Sequence, residues 1–125
     1  MTKVFFDQSD HADVVVLRIF EAELSDLVLE DQLVVALTKF VESRQPQKLL
    51  LDLSDVDYCA TGVINTFLLL RKQVMDLGGE FKLCSVCGPL RTALRSLKLD
   101  KAVFSIHQSV ADGLEAFSVS VEPNG

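Results

Sequence analysis

Apolar positions along the chain switch between two periods in a regular order. Val4-Phe5-Phe6 and Val14-Val15-Val16-Leu17-Arg18-Ile19-Phe20 are β-branched and aromatic runs separated by the polar Ser9-Asp10-His11-Ala12-Asp13. They predict a hairpin or two adjacent strands. From about Asp26 to Glu42 the apolar residues Leu29, Leu33, Leu37 and Phe40/Val41 recur every fourth position, which predicts an amphipathic helix ended by Pro46. Lys48-Leu49-Leu50-Leu51-Asp52-Leu53 is nearly continuous in apolar residues, as expected of a central strand covered on both faces.

Helical spacing returns at Val63/Ile64, Phe67/Leu68, Arg71, Val74/Met75 and Leu77, with Gly78-Gly79 as a left-handed stop. Phe81-Lys82-Leu83-Cys84-Ser85-Val86 alternates with period two and reads as a strand. Pro89 suits the first turn of a short helix that carries Leu90, Leu94 and Leu97 on one face. Val103-Phe104-Ser105-Ile106 is the last expected strand, and Ser109-Val110-Ala111-Asp112 is a capping box opening a helix with Val110, Leu114 and Phe117. The order β-β-α-β-α-β-α-β-α implies an α/β domain, a mixed, mostly parallel sheet with about four helices packed against it. One domain is expected over residues 1–120, with residues 121–125 as a flexible tail.

Composition narrows the function classes. With 49% hydrophobic and 24% charged residues, the chain has what a globular core needs. A net charge of −6 with no Lys/Arg cluster argues against nucleic acid as a partner, because phosphate-backbone binding relies on a basic surface. The longest uncharged run, Tyr58 to Leu70, falls short of the ~20 residues a membrane span needs, and the N-terminus meets Asp7 before any signal-peptide length is reached. The expected location is the cytoplasm, without direct membrane insertion. The odd cysteine count (Cys59, Cys84 and Cys87) does not fit a secreted disulfide framework, and His11 and His107 have no second ligand at zinc-site spacing. Neither a metal nor another cofactor is expected.

The most distinctive segment is Leu49-Leu50-Leu51-Asp52-Leu53-Ser54-Asp55-Val56-Asp57-Tyr58-Cys59-Ala60-Thr61-Gly62-Val63. It resembles the STAS family, whose best-known members are bacterial anti-sigma factor antagonists. Those proteins follow an apolar-Asp-Leu-Ser strand with a loop and then Asp-Ser-Ser/Thr-Gly at the start of the second helix. The likeness extends through Leu77-Gly78-Gly79, the strand from Phe81 and the turn containing Leu99. The resemblance implies a regulatory protein-binding module, not an enzyme. Its implied partner is a serine/threonine kinase of the anti-sigma type or a related signalling complex, with a second copy of the chain, as a homodimer, also open. Thr61 takes the phosphoacceptor place and Gly62 the glycine, while Cys59 and Ala60 stand where the family has Asp and its first Ser. Asp57, Tyr58 and Asn65 join the candidate contact surface. So do Ser25 and Asp26, because the Glu21 to Asp26 segment lies beside the phosphosite in this family.

Elementary chemistry leaves plainer readings open at these positions. Thr61 before a helix can be a simple cap whose hydroxyl accepts a bond from a first-turn N–H, and Ser25 can cap the first helix. Asp52, Asp55 and Asp57 are of the right type for Mg²⁺, but sequence spacing does not bring them to one face. Two rival functions remain: an unphosphorylated scaffold subunit of a multiprotein complex, such as a stress-signalling particle or a lipid-transport ATPase, and a thiol oxidoreductase using Cys84 and Cys87. For the latter, residues three apart in an extended strand are about 10 Å from each other, too far for a disulfide unless the chain turns at Ser85.

Overall fold

The computed structural model describes the backbone of residues 6–20, 23–24, 27–56, 58–59, 61–100 and 103–121. Its side chains are described at these positions apart from 23–24, 27–30, 58–59, 61–62 and 118–121. In chain order the elements are β1 (Phe6–His11), β2 (Val14–Ile19), β3 (Glu23–Leu24), α1 (Leu27–Arg44), β4 (Lys48–Asp52), β5 (Tyr58–Cys59), α2 (Thr61–Asp76), β6 (Glu80–Cys84), α3 (Gly88–Ser96), β7 (Ser105–His107) and α4 (Val110–Val121). The main sheet runs β1-β2-β4-β6-β7, with β1 antiparallel to β2 and the other neighbours parallel. This is the mixed, mostly parallel α/β architecture with four helices that the pattern implied.

The Leu49-Leu50-Leu51 run is continuous because β4 is the central strand and both its faces are covered. Leu49 and Leu51 join Leu17, Ile19, Phe81 and Leu83 in the larger core, under Leu33 and Leu37 of α1, Ile64, Phe67, Leu70 and Val74 of α2, and Leu90 and Leu94 of α3. Leu50 faces the other way, into a smaller cluster with Val14, Val16, Cys84 and Phe117 of α4. Three helices therefore cover one face and α4 the other. Each fully buried aliphatic side chain contributes about 1.5–3 kcal/mol, so this two-sided burial is what fixes β4, and with it the loop that β4 feeds.

Helix ends follow local chemistry. Gly78 has φ +80, and the Gly79 N–H returns to the Val74 carbonyl at 2.9 Å, closing α2 as expected. α3 ends in the same way with a non-glycine residue, Lys98 at φ +59, while the Leu99 N–H bonds the Leu94 carbonyl at 2.8 Å. The Asp112 N–H donates to Ser109 Oγ at 3.1 Å, so Ser109 caps α4.

Three expectations need correction. The polar Ser9-Asp10-His11 belongs to β1, and only Ala12-Asp13 form the turn, with Ala12 at φ +57. An edge strand needs no second apolar face, so its polar residues were misread as a loop; Val4 and Phe5 lie outside the described residues. The last strand begins at Ser105, not Val103, and Phe104 is buried in the main core just ahead of it. α4 extends through Val121, one residue into the expected tail, and residues 122–125 lie outside the described residues. Among the described residues no helix is long and apolar enough to cross a membrane.

Candidate functional site

The loop after β4 is built by the residues that leave the strand. Asp52, 6% exposed, accepts the Ser54 N–H on Oδ1 at 3.0 Å. The Leu53 N–H bonds the Cys84 carbonyl at 3.1 Å, and the Val56 N–H turns back to the Leu53 carbonyl at 3.0 Å. Buried Leu53 and Val56 pin this turn into the main core. The chain then forms β5, which pairs in parallel with β3 in the register Glu23↔Tyr58 and Leu24↔Cys59. α2 follows at once, and Val63, Ile64 and Phe67 anchor its first turns in the core.

Thr61 is thus the first helical residue of α2. Asn65 follows one turn later and is exposed. The β3–β5 ladder sets the 23–24 backbone beside Tyr58 and Cys59, two residues ahead of Thr61, and α3 packs beside β5. Of the other candidates, Gly62 lies in the first turn of α2, whereas Ser25, Asp26 and Asp57 fall outside the described residues. All of this sits at the carboxyl ends of the parallel strands, where open α/β sheets present their binding surfaces.

Sequence reasoning missed one cluster here. Arg18 makes an ion pair with Asp55 (NH1 to Oδ2, 3.5 Å), and its guanidinium lies 5.4 Å from the centroid of the Phe20 ring, which is itself exposed. The available signal was Phe20, an aromatic residue continuing past the end of a buried strand. Asp52 and Asp55 serve different partners, and among the described residues no three His, Cys, Asp or Glu side chains group as metal ligands.

The Cys84-x-x-Cys87 geometry bears on the redox reading. The chain does turn at Ser85, with φ +58. Cys84, however, packs in the cluster under α4, and Cys87 packs against the core on the opposite face as the residue before α3. Among the described residues neither is joined in a disulfide. Burial, reinforced by the Asp52 carboxylate, pushes the Cys84 thiol up to about 12, the reverse of an activated nucleophile.

The fold is shared with proteins of known structure. A STAS domain protein from Planctomyces limnophilus, described as an anti-sigma-factor antagonist, matches with TM-score 0.78 at 20% identity, over 90% of this chain and 97% of that one. An anti-sigma factor antagonist from Mycobacterium paratuberculosis matches with TM-score 0.76 at 23% identity, over 89% and 91% of the two chains. A chain from the stressosome, a signal integration and transduction hub, matches with TM-score 0.73 at 17% identity, over 93% and 99%. Comparison with curated protein sequences gives no significant match. The sequence model of the STAS domain matches residues 6–113, a span that takes in the five-stranded sheet, α1 to α3 and the start of α4. The chain therefore belongs to the STAS domain family.

Proposed function

We propose that this protein is a regulatory binding module of the anti-sigma factor antagonist type. It engages a serine/threonine kinase-type anti-sigma factor, or a related signalling partner, through the segment around Thr61, and phosphorylation of Thr61 switches that contact. The observation that carries the reading is the parallel β3–β5 ladder, which joins two loops into one surface immediately before the first residue of α2. A hydroxyl at a helix N-terminus is a suitable place for a reversible charge. The phosphate adds about −1.5 to −2 charges at the positive end of the helix dipole, so the fold tolerates it while a docked partner meets a new anion. Ser25, Asp26, Asp57, Tyr58, Cys59, Gly62 and Asn65 complete the proposed contact surface.

The test is to recover the partner on the tagged chain from its native host, incubate the pair with ATP and Mg²⁺, and map the product by mass spectrometry. A kinase-fold partner and a phosphate on Thr61, absent from Thr61→Ala, are expected. A second reading, an unphosphorylated scaffold subunit, is favoured by Cys59 and Ala60 standing where the family carries Asp and Ser. It expects a large multiprotein complex and no phosphate on Thr61.

A further inference from the structure

Away from the Thr61 segment, strand register brings a hydroxyl, an imidazole and an ammonium together. Ser105 and His107 stand two apart on β7 and therefore share a face. The pairing Lys82↔Ser105 and Cys84↔His107 sets Lys82 of β6 directly across from the serine. This is the α4 side of the sheet, where Cys84 packs with Phe117 and the Lys82 ammonium lies 5.0 Å from the centroid of the Phe117 ring. The strand is anchored from its other side. Buried Phe104 just ahead of it and Ile106 pack with the main core, and the His107 carbonyl accepts the Ser85 N–H at 3.1 Å. Lys82, Ser105 and His107 are each half-buried, so all three keep part of their surface in water.

The distances give these groups a chemical sense. Ser105 Oγ is 2.8 Å from His107 Nε2, and Lys82 Nζ is 3.4 Å from the same oxygen. An ammonium only donates, so Oγ accepts from Lys82. With Nδ1 carrying the ring proton, the serine O–H donates in turn to Nε2, and the chain of bonds runs in one direction. A serine hydroxyl is a weak nucleophile until a base stands at its proton, and here a base does, with a cation at the oxygen as well. Facing His107 are Lys82 and Cys84 of β6 and Asp112 of α4. Burial first, and then Lys82, lower its pKa from the usual imidazole value, so the ring is neutral at pH 7 and able to take a proton. The Asp112 carboxylate acts the other way and favours the imidazolium once it has formed.

We propose that Ser105 is a nucleophile that takes an acyl group from activated esters, with His107 as its base and Lys82 as the cation that stabilises negative charge on its oxygen. As Oγ attacks the carbonyl carbon, its proton passes to Nε2. The Oγ–C bond forms, the bond from that carbon to the ester oxygen breaks, and its electron pair leaves on that oxygen. The imidazolium then releases its proton to the departing oxygen or to water, which leaves an acyl-serine and a neutral His107. This reactivity goes beyond the binding role of the Thr61 segment and does not depend on it.

The probe is p-nitrophenyl acetate, incubated with the full chain, quenched in acid and mapped by tandem mass spectrometry. Acetyl-Ser105 is expected, forming faster as pH rises until His107 is fully neutral. His107→Gln keeps a hydrogen-bonding group beside the serine but supplies no base, so it should slow the reaction about 100-fold and remove that pH dependence. Lys82→Met should slow it about tenfold, the loss of a bond from a charged donor. Ser105→Cys places a stronger nucleophile beside the same base and should react faster than the wild type.

Acetyl groups confined to lysines and the N-terminal amine would overturn the proposal. So would acetylation of Ser105 that is equally fast in urea, where the pair with His107 is lost, or equally fast in His107→Gln. The wild-type map is a test without any variant, so an unfolded variant does not shield the proposal. The assay uses neither partner nor ATP, and its failure is seen separately from a failure of the Thr61 reading.

Discussion

Replacing Gly79 by alanine tests the packing that sets α2, and therefore Thr61, against the sheet. A Cβ at Gly79 would collide with the backbone carbonyl oxygen of Gln47 and come within 2.9 Å of Val74 Cγ1. That carbonyl cannot easily retreat, because it accepts the Glu80 N–H at 2.7 Å where β4 and β6 begin to pair. Overpacking of this kind costs about 1–3 kcal/mol, and the gain from restricting the unfolded chain is only about 0.4–1 kcal/mol. A net loss of about 1–2 kcal/mol follows, roughly 3–8 °C in melting temperature for a domain of this size. Gly78→Ala is the internal control. Its site is open, with nothing within 4 Å, but its φ is +80, so the cost there is left-handed strain of about 1–2 kcal/mol, offset by the same gain. Urea and thermal unfolding of both variants should rank Gly79→Ala as the more damaging. If Gly79→Ala matches or exceeds the wild type, the close approach of the α2–β6 turn to Gln47 is not as described.

Two further predictions concern titratable groups. Thiol titration of the native protein after mild disulfide oxidation should find Cys84 and Cys87 unpaired and Cys84 unreactive, since burial and Asp52 disfavour its thiolate; an intramolecular Cys84–Cys87 disulfide would instead support the oxidoreductase. The pKa of His107, half-buried and bonded to Ser105 Oγ at 2.8 Å, is lowered from 6.5 first by burial and then by Lys82, with Asp112 opposing. Below pH 6.5 the unfolded chain therefore binds the proton more readily than the folded one, so stability should fall as pH drops through that value and into the folded-state titration. His107→Gln should flatten that part of the unfolding profile, and an unchanged profile would show that His107 is not its source.

The sequence made the interior easy to read and the edges hard. Leu49 to Leu51 identifies a central strand because burial on two faces leaves no room for polar alternation, and Gly78-Gly79 marks a helix end because the backbone there needs a positive φ. The Ser9-Asp10-His11 part of β1 was missed because it is held by backbone pairing that leaves no hydrophobic pattern. The β3–β5 ladder was invisible as a ladder, since two residues per strand carry no period. Only the family resemblance placed the 21–26 segment near Thr61. Arg18 and Phe20 escaped notice because their role depends on Asp55, brought to them by the turn after β4.

The central claim is that Thr61 sits at a switched protein interface, and the most direct measurement is the affinity of the recovered partner for wild-type, Thr61→Ala and Thr61→Glu proteins at one ionic strength, with thermal unfolding of each alongside. Thr61→Ala should change stability by no more than about 1 kcal/mol, since Thr61 is the first helical residue of α2 and not the cap ahead of it, and bind nearly as the wild type does. Thr61→Glu should stay folded but bind far more weakly, because the partner must desolvate or repel a carboxylate where the interface accepts a hydroxyl. If Thr61→Glu binds like the wild type, or if both variants simply unfold, Thr61 is a structural residue and the account of a phosphorylation switch is wrong.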